Sequence, residues 1–269
     1  MISDLAAKVA RTAKRSDSLQ ILARLGFAVN GLLHLLIAGL AIAIAVGGGG
    51  TADQSGAFGQ LAASPGGVFV LWAVVVGLFA LGLWLLLGAF LIQGADPKRK
   101  WSHRVVETSK ATVYLVLAGT AATFALGGTT NSAGSTRDTS ARLMSAPGGV
   151  FVLLAVALVV LAIGGYFVRK GALKKFTADI SVPSGPAGSA IIALGMVGYI
   201  AKGIALGVMA VLIGVAALTL DPSKSTGLDG ALKSLAALPS GEIILTAIAI
   251  GLIAYGAYCF GRAWRARLY

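Results

Sequence analysis

Cysteine occurs once in 269 residues, at Cys259, which excludes an intramolecular disulfide and any metal site built on cysteine pairs. Histidine occurs twice, at His34 and His103, and no HxxxH or HxxE spacing accompanies either. Ten acidic residues stand against 22 basic ones, and no carboxylate lies deep inside an apolar block. Also missing are a GxSxG elbow, paired acids and a dinucleotide fingerprint. The GGGG run Gly47 to Gly50 has no GK[ST] after it and therefore makes no phosphate loop. These absences point away from an enzyme, and they imply neither a cofactor nor a metal.

Charge is scarce as well, at 12% of residues, where soluble domains carry about a quarter. Hydrophobic residues reach 57% and the mean hydropathy is +0.87. The apolar residues gather in blocks at 21–46, 68–93, 108–127, 149–168, 187–220 and 242–261. Each approaches or exceeds the ~20 residues that cross ~30 Å of hydrocarbon as a helix. The period-2 alternation of a membrane barrel is absent, so the expectation is an all-α integral membrane protein with six spans. The first block lies behind a polar leader and is followed by GGGGTADQ, not a small-x-small cleavage site, which reads as a retained span.

Net charge is +12, a value that would suggest nucleic acid in a soluble chain. Here the cations cluster by side. Lys8, Arg11, Lys14, Arg15 and Arg24 precede or open the first span; Lys98, Arg99, Lys100 and Arg104 lie at 94–107. Arg169, Lys170, Lys174 and Lys175 lie at 169–186, and Arg262, Arg265 and Arg267 end the chain. The alternate loops hold only Arg137, Arg142, Lys224 and Lys233. The positive-inside rule then places both termini in the cytoplasm of a cell-membrane protein. The natural partner of such a face is anionic lipid, not nucleic acid.

The phrase SPGGVFVLW at 64–72 returns 82 residues later as APGGVFVLL, and a third copy begins LPSGEIILT. Seventeen residues after Pro65, Pro147 and Pro239 stand Gly82, Gly164 and Gly256; two further on stand Trp84, Tyr166 and Tyr258. Upstream, Asn30, Lys110 and Lys202 occupy matching polar positions near the start of the odd-numbered spans. The chain therefore divides into a basic, interfacial segment at 1–20, repeats at 21–93, 108–168 and 187–262, basic cytoplasmic loops at 94–107 and 169–186, and a basic tail at 263–269. Each repeat is a span, an outer loop with a short apolar patch (FGQLAAS, ARLMSA, LKSLAAL), a proline and a second span. The proline phrase reads as a loop-to-helix start, with Ser64 as its cap. Three such hairpins predict a pseudo-threefold bundle of six helices.

The tandem units, the LARLGFAVNG and LGMVGYIAKG openings and the GLFALGLW and GLIAYGAY endings resemble the actinobacterial membrane-protein family catalogued as domain of unknown function 1206. The resemblance covers about residues 21–264. In the second unit Val106 replaces the glycine found at Gly26 and Gly198. It implies three paired-helix repeats and assigns no activity.

The residues that remain are few. Gly82, Gly164 and Gly256 suit close helix contact, as do Gly203 and Gly207 on one small-residue face of the fifth span, with Trp84, Tyr166 and Tyr258 nearer an interface. Asn30, Lys110 and Lys202 are the candidates for contact with a lipid phosphate or another anion, and Glu107 is placed to pair with Lys110. His34 and, at the matching position, Tyr114 are the candidates for a polar or proton site. The function expected from this set is non-enzymatic: an accessory or scaffold subunit that packs with lipids or a larger membrane complex. The alternatives are a small carrier or channel along the repeat axis and a membrane-bound enzyme of lipid or quinone chemistry.

Overall fold

The computed structural model describes residues 16–91 and 97–267. The interfacial helix expected near the N-terminus therefore lies, up to residue 15, outside the described residues. Nine α-helices and no β-strand occur among the described residues: α1 Asp17–Ala45, α2 Gln54–Ala63, α3 Gly67–Leu91, α4 Pro97–Ala125, α5 Ser132–Ser145, α6 Gly149–Ala172, α7 Pro186–Thr219, α8 Gly227–Ala236 and α9 Gly241–Arg265. The pattern long, short, long occurs three times. Two loop expectations change. The apolar patches of the outer connections are helical, as α2, α5 and α8. The 94–107 segment is helical from Pro97 on, because proline at a helix start loses no hydrogen bond and has its φ already set.

The repeated proline phrase is a turn with the same geometry in each copy. The Gly67 amide donates to Ser64 O at 3.0 Å, Gly149 to Ala146 O at 3.0 Å and Gly241 to Leu238 O at 2.8 Å. Proline holds the first central position, and the second has positive φ: 73° at Gly66, 74° at Gly148 and 60° at Ser240. With ψ −1° at Gly148, this is a type II turn, which favours glycine at that position. The next glycine is required for space, since a Cβ at Gly67 or Gly149 would lie 1.6 Å from Leu61 O or Leu143 O. Ser64 does not cap the helix that follows. Its hydroxyl donates backwards to Leu61 O at 2.7 Å, because the turn folds it against the last turn of α2.

Five helices are long and apolar enough to cross a membrane: α1, α3, α6, α7 and α9. The chain is thus built as a multi-pass membrane protein. The sixth expected span falls in α4, which has the length, at 29 residues, but less apolarity. Ser109, Lys110 and the threonines at 108, 112, 120 and 123 dilute its hydrophobic stretch.

The chain divides into two compact units. The first comprises the described parts of Met1–Asn30, Leu61–Gly128 and Cys259–Tyr269; the second comprises Gly31–Gln60 and Thr129–Tyr258. In the first, Ala23, Phe27, Leu81, Trp84 and Ala266 form a buried cluster against which Tyr114 packs. Arg24 closes the end of α9: its guanidinium donates to Ala263 O at 3.0 Å, Trp264 O at 2.5 Å and Ala266 O at 3.3 Å. A cation there meets the negative end of the helix dipole as well as the unpaired terminal carbonyls. In the second unit, α6 packs on α7 through Leu153, Ala157, Ile213 and Ala217.

Glycines set the closest crossings. In the first unit a Cβ at Gly82 would lie 2.8 Å from Leu115 Cγ and 3.3 Å from Ala111 O. In the second, a Cβ at Gly164 would lie 2.8 Å from Gly203 O, and one at Gly256 would lie 2.9 Å from Gly31 O. Ala111, Gly203 and Gly31 each follow the polar position of a repeat, so each of the three glycines meets the same position of another repeat. Gly207 lies at the same crossing, its amide nitrogen 3.2 Å from a Cβ built at Gly164, although a Cβ at Gly207 itself would meet nothing within 4 Å. Of these two glycines, Gly203 alone has no room for a side chain.

Candidate functional site

In the second unit one end of α6, α7 and α9 is packed with aromatic rings. Phe176, carried by the 3-10 turn Lys175–Asp179, packs against Tyr199 on α7 and Tyr258 on α9, and Tyr255 on α9 packs against both of these tyrosines. Phe176 stacks on Tyr199 at 5.4 Å and meets Tyr258 edge-on at 5.2 Å, while Tyr199 and Tyr255 are edge-on at 5.2 Å. These offset and edge-to-face arrangements are the ones that ring quadrupoles favour. Gly195 and Gly198 create the room. A Cβ at Gly195 would strike the Phe176 ring at 2.4 Å, and one at Gly198 would come within 2.5 Å of Tyr255 Cα.

Two ammonium groups rest on this cluster. Lys202 Nζ lies 4.4 Å from the Tyr255 ring centroid and 5.5 Å from that of Phe167. Lys170 Nζ lies 5.2 Å from the Tyr199 centroid and bonds Asp179 Oδ2 at 2.7 Å. A ring face within ~6 Å attracts a cation by about 0.5–2 kcal/mol, more as water is removed. Lys202 is half-buried on a helix otherwise almost wholly apolar. The arrangement thus holds a compact positive charge at an apolar boundary. His34 joins from α1, its ring 4.6 Å from that of Tyr255.

The three matching polar positions have three environments. Asn30, in the first unit, is buried and donates to Cys259 Sγ at 3.4 Å. Lys110, in the same unit, is exposed and pairs with Glu107 at 2.8 Å, a surface pair worth no more than about 1 kcal/mol. Only Lys202 lies on aromatic faces. Tyr114, matched to His34, packs into the first unit's core cluster. The aromatic markers also separate: Trp84 and Tyr258 are buried, and Tyr166 is exposed, so only the last has the exposure of an interfacial ring.

Sequence reasoning passed over Tyr199, Phe176 and Phe167. One signal was available: Tyr199 and Lys202, like Tyr255 and Tyr258, are three residues apart and share a helix face. Another network was also passed over, at the other end of the second unit. There Asp229 of α8 accepts from the Ala52 amide at 2.8 Å and from Lys233 Nζ at 2.8 Å. Asp53 caps α2 by accepting from the Gly56 amide at 3.0 Å. Ser132 donates its amide to Ser55 Oγ at 2.9 Å, and the two hydroxyls also touch. Burial pushes the Asp53 carboxyl above its ordinary value of 3.8; the Gly56 bond opposes this and the neighbouring Asp229 charge adds to it. Among the described residues no group of three or more His, Cys, Asp or Glu side chains could hold a metal ion.

Residues 25–91, 108–174 and 197–266 each match the family described as Domain of Unknown Function (DUF1206). A relative from Bacillus subtilis (strain 168), "Uncharacterized protein YxxB", is 32% identical over 242 residues, covering 87% of this chain and 86% of the relative. No solved structure matches.

Proposed function

The chain belongs to the DUF1206 family, and we propose that it is a non-enzymatic accessory or scaffold subunit of the cell membrane that holds anionic lipid at Lys202. The carrying observation is the Lys202 ammonium, half-buried and seated 4.4 Å from the Tyr255 ring centroid. The rings shield one side of the charge from hydrocarbon, and the positive charge held there favours an anionic headgroup. Arg169, Lys174 and Lys175 follow in the adjoining segment, against the single acid Asp179, and such a surplus draws anionic headgroups by about 1 kcal/mol per cation. Phosphatidylglycerol should therefore raise the melting temperature of the protein in lipid nanodiscs above its value in phosphatidylcholine, since a ligand that binds only the folded state stabilises it. Lys202→Gln should remove most of that increment, and Lys110→Gln little of it. An equal melting temperature in both lipids would refute the reading.

The same proposal takes α4 as a sixth span, with both termini cytoplasmic. Its threonines need not be exposed to lipid as bare hydroxyls. Thr112, Thr120 and Thr123 donate to Thr108 O, Val116 O and Gly119 O at 3.0, 3.1 and 3.2 Å, which satisfies each proton within the helix. Val113 and Val116 are exposed, while Ala111, Ala118 and Ala121 are buried.

A further inference from the structure

A cavity of about 320 Å³ opens in the second unit between α5, α6, α7 and the turn after α7, some 16 Å along α7 from Lys202 at ~1.5 Å per residue. Its size falls at the lower end of the ~300–1,000 Å³ of small-molecule sites. Ser135, Thr136, Thr139 and Ser140 of α5, with Ser225, line one side; Leu143, Leu153, Val156 and Ile213 line the other. The apolar side is carried largely by α6 and α7, two of the helices able to cross a membrane, and Val156 is exposed.

The hydroxyl side offers more acceptors than donors. Thr136 donates to Ser132 O at 2.8 Å, Thr139 to Ser135 O at 2.7 Å and Ser140 to Ser225 Oγ at 2.7 Å. A hydroxyl has one proton and two lone pairs, so these three protons are committed within the protein and their oxygens remain as acceptors. No charged side chain lines the cavity. Ser225 accepts in its bond with Ser140 and keeps its own proton, so the wall both donates and accepts; a phosphate or carboxylate would enter without a cation, and an ammonium without a carboxylate, to offset its desolvation. An uncharged hydroxyl both donates and accepts, and suits the wall.

We propose that this cavity seats the hydroxyl-bearing head of an uncharged lipid, with its acyl chain leaving past Val156 along α6. The occupant is a lipid and not a free polyol because half of the lining is apolar and is continuous with membrane-crossing helices. It differs from the Lys202 site in place and in the charge of the head it takes.

The test uses the full chain in phosphatidylcholine nanodiscs and a monoacylglycerol bearing a diazirine in its acyl chain, with labelled peptides read by mass spectrometry. Labelling should fall on the peptide that holds Leu153 and Val156 and be competed by unlabelled monoacylglycerol. The double variant Thr136→Val, Thr139→Val should weaken it about tenfold. Val156→Trp, a change at an exposed position, should block the mouth and abolish labelling even if the double variant fails to fold. Three results would overturn the proposal: equal labelling by a diazirine phosphatidic acid, competition by free glycerol as strong as by monoacylglycerol, or labelling that survives Val156→Trp.

Discussion

At the scale of single residues, the turn before each second long helix is the most demanding stretch of the chain. Two copies place glycine at the positive-φ position and the third places Ser240 there, at φ 60°. A side chain in that region costs roughly 1–2 kcal/mol, offset in part by the greater chain entropy of unfolded glycine. Ser240→Gly should therefore raise stability by up to about 1 kcal/mol. Gly149→Ala should lower it by about 1–3 kcal/mol, because its Cβ would meet Leu143 O at 1.6 Å. Thermal melts in one detergent compare the two. The proline and glycine letters announced this turn. The role of Ser64 was not legible, since a serine at a helix junction can serve either helix and only the fold of the turn decides.

Asp53 carries a second prediction at this scale. Its folded pKa is raised, so its contribution to stability is whole below the unfolded value and is lost as pH rises through the folded one. Asp53→Asn keeps the cap on α2 and removes the charge. It should flatten the loss of stability from pH 3.8 upward and be at least as stable as the native chain at pH 7. A steeper loss in the variant, read from melts across that range, would contradict the assignment. Nothing in the local sequence marks Asp53 as buried, because Asp229, its charged neighbour, is 176 residues away.

At the scale of helices, close contact separates glycines that spacing alone treats as equivalent. Gly203 and Gly207 form one GxxxG, yet a Cβ at Gly203 would lie 2.6 Å from Gly164 O while one at Gly207 would meet nothing. Gly203→Ala should cost about 1–3 kcal/mol and Gly207→Ala should be neutral or slightly stabilising through helix propensity; comparable losses would contradict this assignment. Helix periodicity made the long elements legible, and the repeat made Gly82, Gly164 and Gly256 legible as a set. What they touch was not, since a glycine's partner lies in another repeat. The same limit hid the aromatic cluster: Tyr199, Tyr255 and Phe176 come from three separate elements, and only Gly195 and Gly198 let them meet.

At the scale of the whole molecule, the number of spans fixes whether the two ends share a side. Five crossings leave the termini on opposite sides and six return them to the same side. With Cys259→Ser as background, single cysteines at Ser16 and Arg267 should react with a membrane-impermeant maleimide only after inverted exposure or permeabilisation, and together. The sharpest test of the lipid-holding role is native mass spectrometry on the protein extracted with its own membrane lipids. Anionic lipid should remain bound at a fixed stoichiometry, with roughly five-fold less retained on Lys202→Gln, the effect of about 1 kcal/mol. Equal retention by native chain and variant, or no bound anionic lipid at all, would contradict it.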